Sequence, residues 1–357
     1  MNILILPRYG RQGASSRLRL YQYIDWFEKA GLRCNVLPLI NDSQLKRYYE
    51  TGKYSKADLI YAYVLRIISL LKIESYSLIL IEKEALPWLP AWFEKVLLSR
   101  VPYVLDFDDA IFHNYDLHKS KLVKRLLGKR IDKIMATASL VIAGNNYLAD
   151  RALSSGARCV KLIPTVIDLV RYTVNPNIKD QQANGALKIV WIGSPSTLIY
   201  LKIVEKSLTR LSETIPFSLR IIGGGHLMIS GVNVEILPWS ESGESSAITD
   251  CDIGIMPLLN TPWEQGKCAY KLIQYMACGL PTVASPVGAN PSVVVDGVTG
   301  FLADSDDAWF EKLKLLMTDT TLRNKMGAAG RERVEANYCL HKTAPILSDM
   351  LLKLDPI

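Results

Sequence analysis

The sequence predicts an α/β protein built from two doubly wound parallel domains that face each other across a cleft. The chain has 357 residues, and a single hydrophobic core usually stops growing at about 250–300 residues. Short apolar runs alternate with longer amphipathic stretches, as in parallel α/β sheets. The alternation stops in the polar stretch 175–186 and restarts after it. We therefore predict an N-terminal domain over 1–174, a linker over 175–186 and a C-terminal domain over 187–335.

Apolar runs of three to five residues predict the strands in chain order. In the first half they are Ile3–Leu6, Cys34–Leu37, Leu59–Ala62, Leu78–Glu82, Tyr103–Asp106, Leu140–Ala143 and Lys161–Ile163. In the second half they are Lys188–Ile192, Leu219–Ile222, Val234–Leu237, Ile253–Met256, Thr282–Ala284 and Gly300–Leu302. Helical patterns cover Ser16–Ala30, Lys119–Ala138 and Glu332–Lys353, and Pro345 is expected to kink or divide the last one.

The composition is that of a globular protein, with 49% hydrophobic and 22% charged residues. The net charge of +7 favours anionic partners but is too small to indicate nucleic acid. The six cysteines are scattered without a CxxC pair, as in a reducing compartment. The start "MNILILPRYG" is too short an apolar run for a signal peptide. We expect a cytoplasmic protein that can touch the inner face of the cell membrane.

Loops that follow the predicted strands should carry the chemistry, because ligands of such sheets bind beyond the carboxyl ends of the strands. The first loop is "PRYGRQGASSRLRLYQYI", in which Gly13 precedes Ser15, Ser16 and Arg17 at a helix start. Glycine lets backbone N–H groups approach a ligand, and a helix start attracts anions. A plain flexible turn explains the same pattern, so both interpretations stay open.

The second loop, "VPYVLDFDDAIF", places Asp106, Asp108 and Asp109 within four residues after a buried strand. Their mutual repulsion costs stability unless cations, hydroxyls or backbone donors compensate it. Asp109, just before "AIF", would also suit a helix N-cap. We predict a functional role for at least one of the three carboxylates and a capping role for another.

The third and fourth loops lie in the second half of the chain. In "IVWIGSPST" a glycine is followed by hydroxyl side chains at a helix start, which suits contacts to phosphate or ribose. These residues are Gly193, Ser194, Ser196 and Thr197. In "IIGGGH", Gly223 and Gly224 permit the close approach of a base or a sugar. Ordinary tight turns remain the alternative for both loops.

The stretch "GKCAYKLIQYMACGLPTVAS" predicts a helix that begins near Lys267 and ends at Gly279 and Pro281. Lys267, Lys271 and Gln274 are spaced i, i+4 and i+7, so they would share one helical face. Spacing alone slightly favours an ordinary solvated face. The position of this helix after a strand end favours an anionic ligand such as a diphosphate.

These residues resemble a known family. "KCAYKLIQYMACGLPTVASPVGANPSVVVDGVTGFLAD" resembles the donor-binding segment of glycosyltransferase family 4, which has the GT-B fold. "GASSRLRLYQYI", "VLDFDDAIF", "VIAGNNYLAD", "IPTVIDLVRY" and "WIGSPST" follow in the order of one bacterial branch, so the resemblance covers nearly the whole chain. It implies two Rossmann-like domains, the first for the acceptor and the second for the nucleotide sugar. It also implies that the last helix, 336–357, packs back on the first domain.

The resemblance implies a hexosyltransferase-type enzyme (EC 2.4). Such enzymes move a sugar from a nucleotide sugar to a glycan or lipid-linked acceptor with retention of configuration. They commonly build lipopolysaccharide or other surface polysaccharides at the cytoplasmic membrane face. Although Asp106-Phe107-Asp108 is a literal D-x-D, the metal-binding motif of another glycosyltransferase fold class, the resemblance implies no metal and no other cofactor.

The chain departs from the family pattern at several positions. The E-x7-E motif would place glutamates at Gly266 and Gln274, and the nearest acid upstream is Glu264. The family's usual arginine after the Gly193-type glycine is replaced by Ser194. The family's histidine at the end of one N-domain strand corresponds to Asp108. The chain therefore resembles a divergent branch of the family. In this branch, residues other than the usual arginine must neutralise the charge of the donor's phosphates.

Roles follow from the loops and the resemblance together. The catalytic candidates are Asp108, Asp109 and Glu264. The donor-binding candidates are Gly13, Gly193, Ser194, Ser196, Thr197, Gly223, Gly224, Trp239, Lys267, Lys271 and Gln274. The acceptor-binding candidates are Ser15, Ser16, Arg17 and Asn145.

A basic amphipathic helix is predicted over 119–138, within the stretch "HKSKLVKRLLGKRIDKIMATAS", and suits contact with an anionic membrane. A solvated lysine-rich helix is an equal alternative.

Two other functions stay open for the chain as a whole. One is a sugar-nucleotide epimerase or phosphorylase of similar build. The other is a non-catalytic nucleotide-sugar-binding subunit, which the missing glutamates would favour.

Overall fold

The computed structural model describes residues 1–172, 174 and 186–354, and the chain forms two compact units. The first unit comprises Met1–Thr165, Gly266–Cys268 and Leu340–Ile357, and the second comprises Val166–Gln265 and Ala269–Cys339. Val166–Tyr172, predicted for the first domain, therefore pack with the second unit. The predicted linker 175–186 lies outside the described residues except for Ala186.

The described part of the first unit holds a six-stranded parallel sheet of order β2-β1-β3-β4-β5-β6. Its strands are β1 (Asn2–Leu6), β2 (Arg33–Val36), β3 (Leu78–Glu82), β4 (Tyr103–Phe107), β5 (Leu140–Ala143) and β6 (Val160–Leu162). Every residue of β3 and β4 is buried, as expected for central strands covered by helices on both faces.

Helices connect the strands of this unit. They are α1 (Ala14–Arg19), α2 (Ile24–Lys29), α3 (Asp42–Thr51), α4 (Lys56–Leu71), α5 (Ala91–Leu98), α6 (His113–Asp116), α7 (Lys121–Leu127), α8 (Arg130–Met135) and α9 (Asn146–Ser154). Strand β2 is added on one side of β1, and β3 to β6 are added one after another on its other side, so the direction of the crossovers reverses after β2. Because such crossovers are right-handed, α1 and α2 cover one face of the sheet, and α4, α5 and α7–α9 cover the other.

The second unit has the same construction, with a six-stranded parallel sheet of order β12-β11-β10-β7-β8-β9 in its described part. Its strands are β7 (Leu187–Ile192), β8 (Phe217–Ile222), β9 (Asn233–Leu237), β10 (Ile253–Met256), β11 (Thr282–Ala284) and β12 (Gly300–Leu302). Its helices are α10 (Glu205–Ser212), α11 (Glu244–Thr249), α12 (Pro262–Gln265), α13 (Tyr270–Ala277), α14 (Asn290–Val293), α15 (Asp306–Thr318) and α16 (Thr320–Asn337). The prediction of two doubly wound α/β domains is confirmed.

The last helix, α17 (Leu340–Leu352), belongs to the first unit and packs against α2. The Tyr23 hydroxyl lies 3.1 Å from the Thr343 hydroxyl, and the Trp26 and His341 rings meet edge to face. Pro345 lies inside this helix. The helix is therefore not divided at Pro345, since the break falls between Asn337 and Leu340, and the alternative of a kink at Pro345 stays a prediction.

The predicted strand Leu59–Ala62 is wrong, because these residues lie inside α4. Helix α4 is apolar on nearly all sides, so this run shows neither the period of a helix nor that of a strand. The predicted helix 119–138 is also divided, into α7 and α8, around Gly128 and Lys129. Arg130, counted among its basic residues, is buried and paired with Glu84 and Glu94.

Two further helix predictions are corrected. The stretch Ser16–Ala30 forms α1, a 3-10 turn at Tyr21–Tyr23 and α2 rather than one helix. The helix expected from Lys267 begins at Tyr270, because Ala269 has a left-handed φ of 58°. In the described parts of the chain, no helix is long and apolar enough to span a bilayer.

Candidate functional site

Charged side chains gather in the first unit where β3 and β4 end. Lys83 Nζ lies 2.8 Å from Asp108 Oδ1 and donates to Ser15 Oγ at 3.0 Å. Ser15 donates to the other Asp108 oxygen at 2.5 Å. Lys267 Nζ donates to Asp109 Oδ1 at 2.7 Å, and Lys83 Nζ lies 3.7 Å from Asp109 Oδ2. We call Ser15, Lys83, Asp108, Asp109 and Lys267 the aspartate–lysine cluster.

The aspartate–lysine cluster keeps its charges in spite of burial. Burial alone would raise the pKa of Asp108, but the Lys83 ammonium and the Ser15 hydroxyl outweigh it, and the pKa falls to about 2. Burial would likewise lower the pKa of Lys83, yet the Asp108 and Asp109 carboxylates raise it above its usual value. The pKa of Lys267 is also raised, since Asp109 outweighs burial. Asp108 is therefore an ionised hydrogen-bond acceptor at neutral pH.

Lys83 holds its place through an unusual backbone conformation. Its φ is 64°, which is left-handed and disfavoured for a residue with a Cβ. The N–H of Lys83 donates to the Asp106 carbonyl of β4 at 2.9 Å. The turn therefore ties the end of β3 to β4 and directs the ammonium towards Asp108. Conformational strain of this kind is often found at functional sites.

The neighbouring polar residues support the strand ends. Asp106 receives two hydrogen bonds from the Arg19 guanidinium, at 2.8 and 2.6 Å. Ser16 donates to Glu82 at 2.5 Å, and Arg17 donates to the Arg11 carbonyl at 3.1 Å. Asp106 is thus compensated by its own arginine, separately from the aspartate–lysine cluster.

Two predictions for this region need correction. Asp109 does not cap a helix, because α6 begins at His113 after Phe112, and the Asp109 carboxylate faces the two lysines. Lys267 does not share a helical face with Lys271, since it precedes α13 and packs in the first unit.

Asn145, predicted to bind the acceptor, connects two segments of the first unit. Its amide donates to the Lys267 carbonyl at 3.0 Å, and its side-chain oxygen caps α9 at the Leu148 N–H. Gly13 is the N-cap residue of α1, and a Cβ there would lie 2.4 Å from the Tyr9 side chain. Both residues shape the loops around Ser15.

In the second unit, the loop after β7 approaches the start of α13. Lys271 Nζ lies 4.2 Å from the centre of the Trp191 ring. A Cβ on Gly193 would lie 2.5 Å from the Trp191 ring and 2.8 Å from Lys271 Nζ, so only glycine fits there. The hydroxyls of Ser194 and Ser196 are 2.9 Å apart and exposed. Backbone, hydroxyls and an ammonium thus come together as they would around a phosphate.

The loop after β8 closes this arrangement. A Cβ on Gly223 would lie 2.9 Å from the Gly193 carbonyl and 3.0 Å from the Trp239 Cβ. A Cβ on Gly224 would lie 2.5 Å from the Trp191 ring. The ends of β7, β8 and β9 therefore meet beside Lys271. We call Gly193, Ser194, Ser196, Thr197, Gly223, Trp239 and Lys271 the glycine–lysine site.

Gln274 lies in a buried network next to this site. Its amide donates to the Tyr172 hydroxyl at 3.0 Å, and Tyr172 donates to Glu244 at 2.5 Å. The Trp239 indole N–H donates to the other Glu244 oxygen at 2.8 Å. Gln274 is buried, so the solvated-face alternative is excluded for it. Its amide stabilises the position of Tyr172 and, through Glu244, that of Trp239.

Glu264 is buried in the second unit, where both of its oxygens accept hydrogen bonds. Tyr200 donates to Oε1 at 2.6 Å, and the Thr261 hydroxyl donates to Oε2. This arrangement fixes the carboxylate in one orientation and joins α12 to the 3-10 helix Pro195–Ile203 that follows Gly193.

Sequence reasoning missed several residues of these sites. Lys83 belongs to the triplet Glu82-Lys83-Glu84, and charges directly after a buried strand are the signal that could have revealed it. Tyr172 and Glu244 are 72 residues apart. No local pattern predicts their contact.

The second unit matches a known family. Residues 186–319 match the family described as glycosyl transferases group 1. This region is therefore similar to the group 1 glycosyl transferases. The resemblance of the donor-binding segment is thereby confirmed.

Two curated proteins show how far the similarity extends along the chain. The D-inositol 3-phosphate glycosyltransferase of Thermobifida fusca is 42% identical over an alignment of 231 residues, and the alignment covers 56% of this chain and 52% of that protein. The alpha-maltose-1-phosphate synthase of Mycobacterium tuberculosis is 41% identical over 69 residues, 17% of this chain and 18% of that protein. The chain thus spans about half the length of the first relative in the alignment.

Solved structures establish the fold over nearly the whole chain. Anabaena Alr3699/HepE in complex with UDP aligns with a TM-score of 0.73 at 16% identity, covering 98% of this chain and 99% of that one. Sucrose-phosphate synthase from Thermosynechococcus elongatus aligns with a TM-score of 0.74 at 14% identity, covering 99% of both chains. The fold is GT-B, as the resemblance implied.

Proposed function

We propose that the protein is a glycosyltransferase that moves a hexosyl group from a nucleotide sugar to a glycan or lipid-linked acceptor. The observation that carries the proposal is the glycine–lysine site, which lies within the region that matches the group 1 glycosyl transferases. There an ammonium, exposed hydroxyls and a glycine turn lie side by side, an arrangement suited to a diphosphate. The Anabaena relative was crystallised with UDP-glucose, which supports a nucleotide sugar as the donor.

The two sites divide the work of the reaction. Lys271 and the loop after β7 stabilise the leaving diphosphate, on which negative charge develops as the bond between the sugar and the phosphate breaks. The aspartate–lysine cluster of the acceptor domain orients the acceptor hydroxyl. With its pKa near 2, Asp108 is too weak a base to hold a proton at neutral pH. We propose that the leaving phosphate takes the acceptor's proton, with retention of configuration and without a metal.

We further propose that the protein acts in surface polysaccharide or lipopolysaccharide synthesis on the cytoplasmic face of the membrane. Helix α7 supports a membrane contact, since Lys121, Lys124 and Arg125 are exposed beside Leu122 and Leu126. A basic helix with exposed leucines suits anionic lipid. On this proposal, α7 binds vesicles only when they contain anionic lipid.

The transferase proposal is tested by a nucleotide-sugar screen. Thermal stabilisation by uridine, guanosine, adenosine and thymidine diphosphate sugars identifies the donor, and acceptors are then screened for release of nucleoside diphosphate. Lys271→Met should weaken donor binding about tenfold or more, because a charge-assisted phosphate contact is lost. Lys206→Met, an exposed lysine of the same unit, is the control and should bind normally. Stabilisation by no nucleotide sugar would contradict the proposal.

One observation favours a non-catalytic nucleotide-sugar-binding subunit. Both oxygens of Glu264, the acid nearest the family's first glutamate, are already engaged. This alternative predicts donor binding with no release of nucleoside diphosphate for any acceptor. Release with a single acceptor excludes it.

A further inference from the structure

Helix α4 presents an apolar surface to solvent. Its outward stripe contains Ile60, Tyr61, Val64, Leu65, Ile68 and Leu71, which are between 43% and 67% exposed. These positions follow the i, i+3, i+4, i+7 spacing of one helical face. A surface helix normally places polar side chains there, so a contiguous stripe of this kind marks an interaction site.

The inward face of α4 carries a charge instead. Arg66 is buried, and its guanidinium donates to the carbonyls of Pro7 at 3.1 Å and Leu37 at 2.8 Å. Burial lowers the pKa of Arg66 to about 10. These bonds orient the helix, so the outward position of the apolar stripe is specified by the fold.

The apolar surface continues beyond α4. A groove of about 290 Å³ lies between the stripe and the segment after β2, where Leu37, Pro38 and Leu39 form the second wall. Helix α5 packs beside α4 on the same face of the sheet and exposes Trp92 and Val96. Exposed tryptophan and tyrosine near an apolar surface are typical of a membrane–water interface.

Cations stand at both ends of the stripe. Lys56 begins α4 and Lys72 follows its last turn, while Lys46 and Lys53 precede it. None of these four lysines forms an ion pair among the described residues. Lysines at the ends of an apolar helix can extend their ammonium groups to the headgroups of anionic lipids.

The basic helix α7 is connected to the same surface. The Tyr63 hydroxyl of α4 donates to the Pro87 carbonyl at 2.8 Å. The next residue, Trp88, contacts the rings of Tyr115 and His118 just before α7. The apolar stripe and the basic helix therefore lie on adjoining elements of one unit.

We propose that the α4 stripe inserts into the interfacial layer of an anionic lipid bilayer, flanked by its four lysines. Charge favours this occupant over a second copy of the chain. Two α4 helices packed antiparallel would bring Lys56 of each against Lys72 of the other. The nearby carboxylates of Asp58 and Glu74 are already paired with Arg47 and Arg100. Lipid phosphates, by contrast, neutralise all four lysines.

Vesicle flotation of the full chain tests the proposal, without donor or acceptor, so the result is independent of the transfer reaction proposed above. The vesicles contain equal parts of phosphatidylcholine and phosphatidylglycerol. Ile60→Glu/Val64→Glu should reduce the vesicle-bound fraction at least about tenfold, since two apolar side chains become charged. Both residues are exposed, so the fold should persist. Ile346→Glu, a similarly exposed isoleucine of α17, is the control and should bind like the unmodified chain.

Three results would overturn the proposal. The unmodified chain could fail to bind these vesicles, or the double variant could bind them as well as the unmodified chain does. In lipid-free solution, light scattering could instead show a dimer that the double variant abolishes, which would assign the stripe to a second copy.

Discussion

Single side chains determine which charges the first unit can hold at the aspartate–lysine cluster. Asp108 and Asp109 are adjacent in the chain and would repel each other. Lys83 lies within 4 Å of both, and Lys267 pairs with Asp109 from a segment more than 150 residues away. The ionised state of this cluster thus depends on residues that no local sequence pattern connects.

On the proposed function, Lys83 positions Asp108, and its removal should affect both the activity and its pH dependence. Lys83→Met should lower kcat/KM about ten- to a hundredfold, the effect of losing a charged hydrogen-bond partner. The acid limb of the pH profile should move upward, because the pKa of Asp108 rises without the ammonium. Lys83→Arg keeps the charge and should retain more activity with the original profile. An unchanged profile in Lys83→Met would contradict the assignment.

The low pKa of Asp108 makes stability depend on acid pH. The pKa is 3.8 for an ordinary aspartate and about 2 in the folded chain. The group therefore contributes stability that is present above about pH 4 and lost as the pH falls towards 2, on the order of 2 kcal/mol. Urea unfolding at a series of pH values should show this loss in the unmodified chain. Asp108→Asn should show a shallower dependence, and an equal slope in both would be evidence against the ion pair.

At the scale of elements, helix packing in the second unit depends on backbone contact. Helices α13 and α16 are packed together, and α16 brings Gly327 and Gly330 against α13 and the turn that ends it. A Cβ on Gly327 would lie 2.0 Å from the Gly279 carbonyl oxygen. On Gly330, the nearest atom would be the flexible Met276 side chain at 3.1 Å.

These two glycines form a matched pair for a stability test. Gly327→Ala should lower the free energy of unfolding by about 1–3 kcal/mol, because backbone cannot move away as a side chain can. Gly330→Ala should be neutral or slightly stabilising, since alanine favours helix by about 1 kcal/mol and Met276 can shift. Denaturant unfolding of both variants measures the difference. If both substitutions changed the free energy of unfolding equally, Gly327 would not pack closely against the Gly279 carbonyl.

At the scale of the whole molecule, the first unit is built from segments that are far apart in the sequence. The first unit takes its sheet from the first 165 residues but also includes Gly266–Cys268 and α17. These segments bring Lys267 to the aspartate–lysine cluster and cover α2. The first unit is therefore complete only when the end of the chain has folded onto it.

Removal of α17 tests this dependence. A chain that ends at Cys339 should expose Tyr23, which contacts α17, and Phe27 of α2, because both side chains are buried in the complete first unit. Hydrogen exchange should then accelerate in α2 while β8 stays protected. A chain that ends at Leu354 serves as the control. Full protection of α2 in the shorter chain would show that α17 is dispensable for the first unit.

The sequence by itself determined the strands, apart from Leu59–Ala62, and their parallel arrangement in two sheets. It succeeded there because alternating apolar runs and turns after strands are local signals. It failed at Leu59–Ala62, where an apolar helix facing solvent carries no helical period. It also failed at Lys267, because a left-handed Ala269 separates this residue from α13.

Only the tertiary structure decided which polar groups meet. The partners of Asp108, Gln274 and Glu264 come from 25 to more than 100 residues away or from a neighbouring turn, and their hydrogen bonds exist only after the chain is packed. The sequence determined that Lys271 follows a strand end; the fold decided that its ammonium reaches Gly193. Local patterns record which face of an element is apolar. Contacts between distant polar groups depend on the packing of whole elements, which no short stretch encodes.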